Sequence, residues 1–150
     1  MTWTIQLMAW YKIHKRSFPW RKSRDPYKIW LSEIILQQTR IAQGTPYYQS
    51  FIKNFPTVEA LAAADEQQVL KLWQGLGYYS RARNLHHTAK AIVSDYNAVF
   101  PKTFTELCTL KGVGNYTASA ISSICFDEPQ AVVDGNVYRV LARYFGQDTP

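Results

Sequence analysis

Leu110-Lys-Gly-Val-Gly-Asn-Tyr-Thr-Ala-Ser-Ala120 is the stretch on which the reading of the fold turns. Gly112 and Gly114 bracket Val113, with Leu110 before them and a helix-forming run behind. Glycine at both positions permits positive φ and leaves no Cβ between the backbone and a ligand. The run from Thr117 to Cys125 is small or apolar, so a helix beginning near Asn115 can pack closely on a neighbour. Such a turn aims free backbone N–H groups outward, and a phosphate is their natural occupant. An ordinary helix–turn–helix corner, with the glycines serving as cap and turn, has the same sequence. This stretch alone leaves both readings open.

Working outward, Pro101-Lys-Thr103 caps a short helix over Phe104–Leu110 that leads into the turn. Further upstream, Gly75-Leu-Gly-Tyr-Tyr-Ser-Arg-Ala-Arg83 is a glycine–aromatic–basic loop entering a long helix from about Ser80 to Tyr96. Aromatic side chains beside arginines suit wedging between bases with phosphate contact, and they equally suit a tight helix–helix turn. Thr57 and Asp65 are N-cap candidates for short helices over Val58–Ala63 and Glu66–Trp73. Tyr47, Tyr48, Phe51 and Ile52 recur at helical spacing before a break at Phe55-Pro56. On the far side of the glycine turn, Asp134 is an N-cap candidate for a final helix through Arg143. At the other end, Ile5–Ile13 reads as a short docking helix, and Phe18-Pro-Trp-Arg21 as a turn or extended link. Every long periodic segment is helical and none alternates as a strand, so the class is all-α.

The helix expected over Tyr27–Arg40 carries the chain's most informative acidic residue. On a wheel of ~100° per residue with Ile29 at ~0°, Glu33 falls near ~40°, flanked by Ile29, Leu36 and Trp30. Apolar groups occupy most of the circumference, and Lys28, Ser32 and Thr39 share the polar sector. A carboxylate in an apolar sector is costly unless paired, and desolvation raises its pKa. That suits a general acid working near neutral pH. A structural glutamate satisfied by backbone or an arginine fits the same position. Leu36-Gln-Gln-Thr-Arg40 adds two adjacent amides and a base at the helix end.

With 150 residues the chain is the size of one domain, and 47% hydrophobic against 19% charged residues excludes a disordered chain. A formal net charge of +6 fits a polyanionic partner without proving one. The bases cluster: Lys12, Lys15, Arg16, Arg21, Lys22, Arg24 and Lys28 form one group, and Arg81, Arg83 and Lys90 around His86 and His87 a second. Cys108 and Cys125 fit no metal or redox signature and read as buried thiols in a reducing compartment, and the histidines show no ligand spacing either. Neither a signal peptide nor a membrane-length apolar run is visible, so a soluble, intracellular chain is expected.

Taken together, Phe18-Pro-Trp-Arg21, Trp30-Leu-Ser-Glu33, Leu36-Gln-Gln-Thr39, Gly75-Leu-Gly-Tyr-Tyr-Ser-Arg-Ala-Arg-Asn-Leu85, Gly112-Val-Gly-Asn-Tyr-Thr-Ala118, Val133-Asp-Gly-Asn-Val137 and Arg139-Val-Leu-Ala-Arg143 resemble the helix-hairpin-helix base-excision DNA glycosylases. Within them the chain resembles the branch acting on A/G mismatches. The ordered set covers nearly the whole chain, which makes it far more specific than any single motif.

The resemblance implies an enzyme that flips adenine out of a mismatch with 8-oxoguanine or guanine and hydrolyses its N-glycosidic bond. It implies Glu33 as the acid on the adenine ring, assisting water attack, and Asp134 as the stabiliser of an oxocarbenium-like sugar, with Tyr116 and Asn136 near that sugar. Gln38 and Tyr78 match residues inserted beside the flipped base, with Leu76 nearby. Arg21 matches a residue beside the adenine pocket. Gly112 and Gly114 would hold a DNA phosphate, sometimes with a monovalent cation in the hairpin. Gln37, Thr39, Arg81 and Asn115 complete the expected DNA contacts. Tyr116 stands where related lyases carry a nucleophilic lysine, which implies a monofunctional glycosylase. Lys111, where the family often has proline, leaves room for weak lyase activity.

The implied architecture is an N-terminal helix and link over 1–20 and a six-helix barrel module over 21–133 with its hairpin at 110–118. Residues 134–150 would begin a second, cluster-side domain. The family usually continues to four cysteines holding a 4Fe–4S cluster, which two cysteines cannot supply, so this chain is expected to be a truncated form without cofactor or metal of its own. Double-stranded DNA is the expected partner, with no membrane association, a monomeric state and a cytoplasmic, nucleoid-associated location. The same fold with thymine specificity, or a non-catalytic helix-hairpin-helix DNA-binding module, remains as an alternative.

Overall fold

The computed structural model describes residues 2–148, and among them every regular element is helical. The order is α1 (Trp3–His14), a 3-10 turn at Pro19–Arg21, α2 (Pro26–Leu36), α3 (Ile41–Asn54), α4 (Val58–Ala63), α5 (Glu66–Trp73), α6 (Ser80–Tyr96), α7 (Phe104–Leu107), α8 (Asn115–Phe126) and α9 (Gly135–Phe145). The all-α expectation holds; α4 and α5 occupy the ranges read from their caps, and α6 the range expected after the glycine–aromatic–basic loop. Thr57 Oγ1 accepts from Ala60 N at 3.3 Å, and Asp65 and Gln68 close a capping box.

α2 is the central element. Asp25 caps it, accepting from Tyr27 N at 3.0 Å, with Pro26 in its first turn. It packs against α3, α6 and α8, and Ile29, Trp30, Leu31, Ile34 and Ile35 are all buried. Ser32 was expected in a polar sector, but it is buried too, its hydroxyl satisfied by Ile29 O at 2.7 Å. Around α2 the large side chains meet edge to face, Trp30 with Phe100 at 5.5 Å and Phe51 with Trp73 at 5.9 Å. Trp20 from the 3-10 turn stacks on Phe18 and meets Tyr48 edge-on, so the expected link is anchored in the core.

Several expected boundaries move: α1 extends beyond Ile5–Ile13 at both ends, to Trp3 and His14. α2 ends at Leu36 rather than Arg40, because Gln38 adopts a left-handed φ of 53° and Arg81 takes up the carbonyls of Ile34, Ile35 and Gln37. α7 ends at Leu107 rather than Leu110, since the chain tightens into successive turns that bury Leu110. α9 continues past Arg143 to Phe145 and stops on Gly146, which is left-handed.

The docking expected of α1 is slight. None of its residues is buried; Trp3 lies against Tyr144 of α9 at 4.9 Å, and Ile5, Met8, Trp10 and Ile13 face outward. Nor does the second basic group form one charged face: His86 is buried, Arg83 pairs with Glu66 at 3.9 Å, and Arg81 turns inward. In the first group, Arg24 ties the start of α2 to the end of α8, donating to Ile124 O at 2.8 Å and pairing with Asp127 at 2.6 Å. Among the described residues no helix is long and apolar enough to cross a membrane.

Candidate active site and nucleic-acid interface

α2 places Glu33 on the flank that faces the 3-10 turn and α8. Its side chain is only 12% exposed, and Arg21 Nη2 stands 3.7 Å from Oε1. Burial raises the Glu33 pKa, and the Arg21 charge pulls against that rise. Both readings of the sequence are thus partly present: an arginine is beside the carboxyl, yet too loosely to overcome desolvation.

Asp134 reaches its position by the opposite route. It caps α9, accepting from Asn136 N and Val137 N at 2.9 Å each, while Asn136 Nδ2 donates to its second oxygen at 3.1 Å. The hydrogen bond from Val137 is the main reason its pKa falls below the ordinary aspartate value, with Asn136 adding to it. Asn136 is itself held by Arg139, whose Nη2 donates to Oδ1 at 2.7 Å. Arg139 was not among the expected site residues, although its spacing of three from Asn136 on one helix placed both on the same face.

Tyr116, in the first turn of α8, joins the two acids. Its pKa is raised first by burial and then by the charges of Glu33 and Asp134, with Arg21 opposing. The fold therefore brings Arg21, Glu33, Tyr116 and Asp134 into one electrostatic neighbourhood, in which both acids act on the phenol. One carboxyl is biased toward its neutral form and the other toward its anion, the division of labour that glycosidic cleavage requires.

The glycine turn distinguishes two residues that look alike in sequence. Gly112 has φ +77°, and a Cβ there would lie 2.9 Å from Asn84 Cβ. Gly114 has φ −84° and extended backbone, so it does not use the positive φ that glycine permits. A Cβ on Gly114 would meet nothing within 4 Å, which leaves the start of α8 open to solvent. Asn115 is exposed, its Oδ1 within 3.7 Å of Cys108 Sγ. Thr88 Oγ1 donates to Lys111 O at 2.7 Å and pins the turn to α6. Neither Asn84 nor Thr88 was legible as a support in sequence, since each acts on backbone distant along the chain.

Gln38 and Tyr78 occupy two separate turns and are both exposed, Tyr78 by 68%. Thr39 Oγ1 donates to Gln37 O at 3.3 Å. Gln37 lines a cavity of about 160 Å³ with Trp30, Arg81, Asn84, Lys111 and Gly112. Two expected DNA contacts are not available as such. Leu76 is 7% exposed and packs in the core, because the turn that projects Tyr78 folds Leu76 under it. The Arg81 guanidinium donates to backbone carbonyls and lies over the Trp73 ring, so it cannot also reach a phosphate.

Cys108 and Cys125 are free and partly buried, and burial pushes the Cys125 thiol up to about 11. Among the described residues no group of three or more His, Cys, Asp or Glu side chains is placed to hold a metal.

The likeness to known proteins runs along the whole of this arrangement. A family model described as HhH-GPD superfamily base excision DNA repair protein matches residues 31–150. The adenine DNA glycosylase of Buchnera aphidicola subsp. Baizongia pistaciae is 43% identical over 140 residues, covering 93% of this chain and 40% of its own length. That of Rattus norvegicus is 45% identical over 146 residues, covering 91% of this chain and 28% of its own. The chain thus spans less than half the length of these curated relatives. Among solved structures, a thermostable thymine-DNA glycosylase superposes with a TM-score of 0.88 at 31% identity, over 95% of this chain and 66% of that one. A non-covalent endonuclease III–DNA complex superposes with a TM-score of 0.78 at 22% identity, over 99% of this chain and 73% of that one, a likeness of fold alone. With the matched residues taking in the glycine turn, Tyr116 and both acids, this chain belongs to the HhH-GPD superfamily of base excision DNA repair proteins.

Proposed function

We propose that the chain carries the base-excising core of an adenine DNA glycosylase, acting on adenine mispaired with 8-oxoguanine or guanine in double-stranded DNA. The observation that carries this reading is a buried Glu33 carboxyl beside Arg21 and an Asp134 carboxylate held by its own helix cap, with opposite pKa biases and both acting on Tyr116. The adenine assignment is supported by relatives of that name at 43–45% identity.

The target base must leave the stack before either acid can reach it. Glu33, whose desolvated position favours its neutral form, gives its proton to the adenine ring. The C1′–N9 bond then breaks, its electron pair leaves with adenine, and the sugar becomes an oxocarbenium-like cation facing the Asp134 anion. Water attacks C1′, and its proton passes to the Glu33 carboxylate, which restores the acid. Asn136 and Arg139 hold Asp134 in its charged, oriented form. Arg21 tempers the rise in the Glu33 pKa so that the proton remains transferable. Tyr116 has no amine with which to form a Schiff base, so cleavage ends at the abasic site. Gln38 and Tyr78 enter the duplex beside the vacated position, and the open start of α8 at Gly114 receives a phosphate.

The test is single-turnover release of adenine from an A·8-oxoguanine duplex by the chain and by Glu33→Gln and Asp134→Asn. Release by the unaltered chain and loss in both variants is expected; equal rates for all three would remove the mechanism. A thymine-releasing enzyme is the second reading, favoured by the superposition on a thymine-DNA glycosylase. Duplexes that differ only in the target base separate the two.

A further inference from the structure

Gln38 and Tyr78, which stand on turns 40 residues apart in sequence, share an uncommon feature: both are non-glycine residues in left-handed backbone, with φ of 53° and 48°. Side chains disfavour that conformation, so it persists where surrounding contacts impose it. One side chain touches both turns. Arg81 Nη1 donates to Ile34 O, Ile35 O and Gln37 O at 3.1, 3.2 and 2.5 Å, at the end of α2. Its Nη2 donates to Leu76 O and Gly77 O at 3.4 and 3.3 Å, immediately before Tyr78. The guanidinium carbon sits 5.0 Å from the Trp73 ring centre and 5.7 Å from that of Tyr78.

Each turn also has fastenings of its own. Thr39 N donates to Leu36 O at 3.2 Å in the first, and Trp73 Nε1 donates to Gly77 O at 2.9 Å in the second. No other hydrogen bond among the described residues joins one turn to the other. A planar cation with five donors can span carbonyls on two segments, whereas a lysine ammonium with three donors on a flexible stem cannot reproduce that fork.

We propose that Arg81 is a positioning residue that sets the Gln38 and Tyr78 tips as one rigid two-pronged probe, so that both enter the duplex in register when the base is extruded. This rests on the base-flipping reading above. An arginine that looks like a phosphate contact in sequence is spent instead on backbone carbonyls, and its charge contributes to the shape of the interface rather than to attraction.

The experiment compares the chain with Arg81→Lys on a duplex carrying 2-aminopurine, a fluorescent adenine analogue, opposite 8-oxoguanine. Lysine keeps the charge, so affinity should stay within about threefold and the slope of log Kd against log salt should be unchanged. Unstacking of the probe, read as its fluorescence rise, and single-turnover adenine release from the matching adenine duplex should each fall about tenfold or more. Affinity loss with unimpaired unstacking, or unstacking and release equal to the unaltered chain, would overturn the proposal. Should Arg81→Lys not fold, Gln38→Ala, Tyr78→Ala and the double variant decide it in the Arg81 background. Coupling of about threefold or more in unstacking is expected, and simple additivity would overturn it. Failure of the unaltered chain to unstack the probe at all would count against the base-flipping reading itself, a result distinct from either.

Discussion

α2 and α9 each begin at an aspartate cap and each carry a carboxyl that acts on Tyr116, yet they differ in burial and in what perturbs that carboxyl. α2 is buried along most of its length, and its acid is perturbed by lost hydration. None of the residues of α9 is buried, and its acid is perturbed by hydrogen bonds from its own first turn. The contrast teaches that two acids of opposite bias need no exotic chemistry. One is placed inside a packed layer and the other at the exposed start of a helix, where backbone N–H groups stabilise its anion.

The largest expected effect that tests this contrast is Glu33→Gln. Loss of a general acid should slow single-turnover base release by about 10²–10⁴-fold while DNA affinity holds. Unaltered release would sever the link between the buried carboxyl and the chemistry. Asp134 offers a finer cut, because asparagine is also a good N-cap. Asp134→Asn should lose much of the rate with little change in melting temperature, whereas Asp134→Ala should add a loss of about 1 kcal/mol in stability. If Asp134→Asn and Asp134→Ala melted alike, the cap would not be the source of the Asp134 geometry.

Next in size is the glycine pair. Gly112→Ala forces a side chain into left-handed backbone and against Asn84, and should cost about 1–3 kcal/mol by denaturant melting. Gly114→Ala should leave stability nearly unchanged, its effect confined to DNA affinity. Equal melting of the two variants would refute the distinction drawn from their φ angles.

The smallest effect is in the pH dependence of stability, where the two acids must act in opposite directions. Glu33 has a raised pKa, so its contribution is complete below the ordinary glutamate value and is lost as pH rises through the raised one. Glu33→Gln should therefore gain stability relative to the unaltered chain as pH increases across that window. Asp134 has a lowered pKa, so its contribution is present above the ordinary aspartate value and fades as pH falls through the lowered one. Melting curves from acid to neutral pH that showed the same sign for both acids would contradict their assignment.

Much of this was legible in the chain itself. The caps at Thr57, Asp65 and Asp134 marked helix starts because capping is a local matter of one side chain and the next three amides. The wheel placed Glu33 among apolar neighbours because the helical period alone decides which residues share a face. What local pattern could not decide was the use of a residue whose partners are distant. Arg81 looked like a DNA contact and Leu76 like a neighbour of the inserting Gln38 and Tyr78, yet one binds carbonyls on two turns and the other is buried. Gly112 and Gly114 looked equivalent, and their backbone angles together with the approach of Asn84 from α6 separate them. The sequence determined the helices, their caps and the side on which Glu33 lies, all set by neighbours within a few residues. Tertiary packing decided that Glu33 and Asp134 act on one phenol, and that a guanidinium spans two turns, because both require segments far apart in the chain to meet.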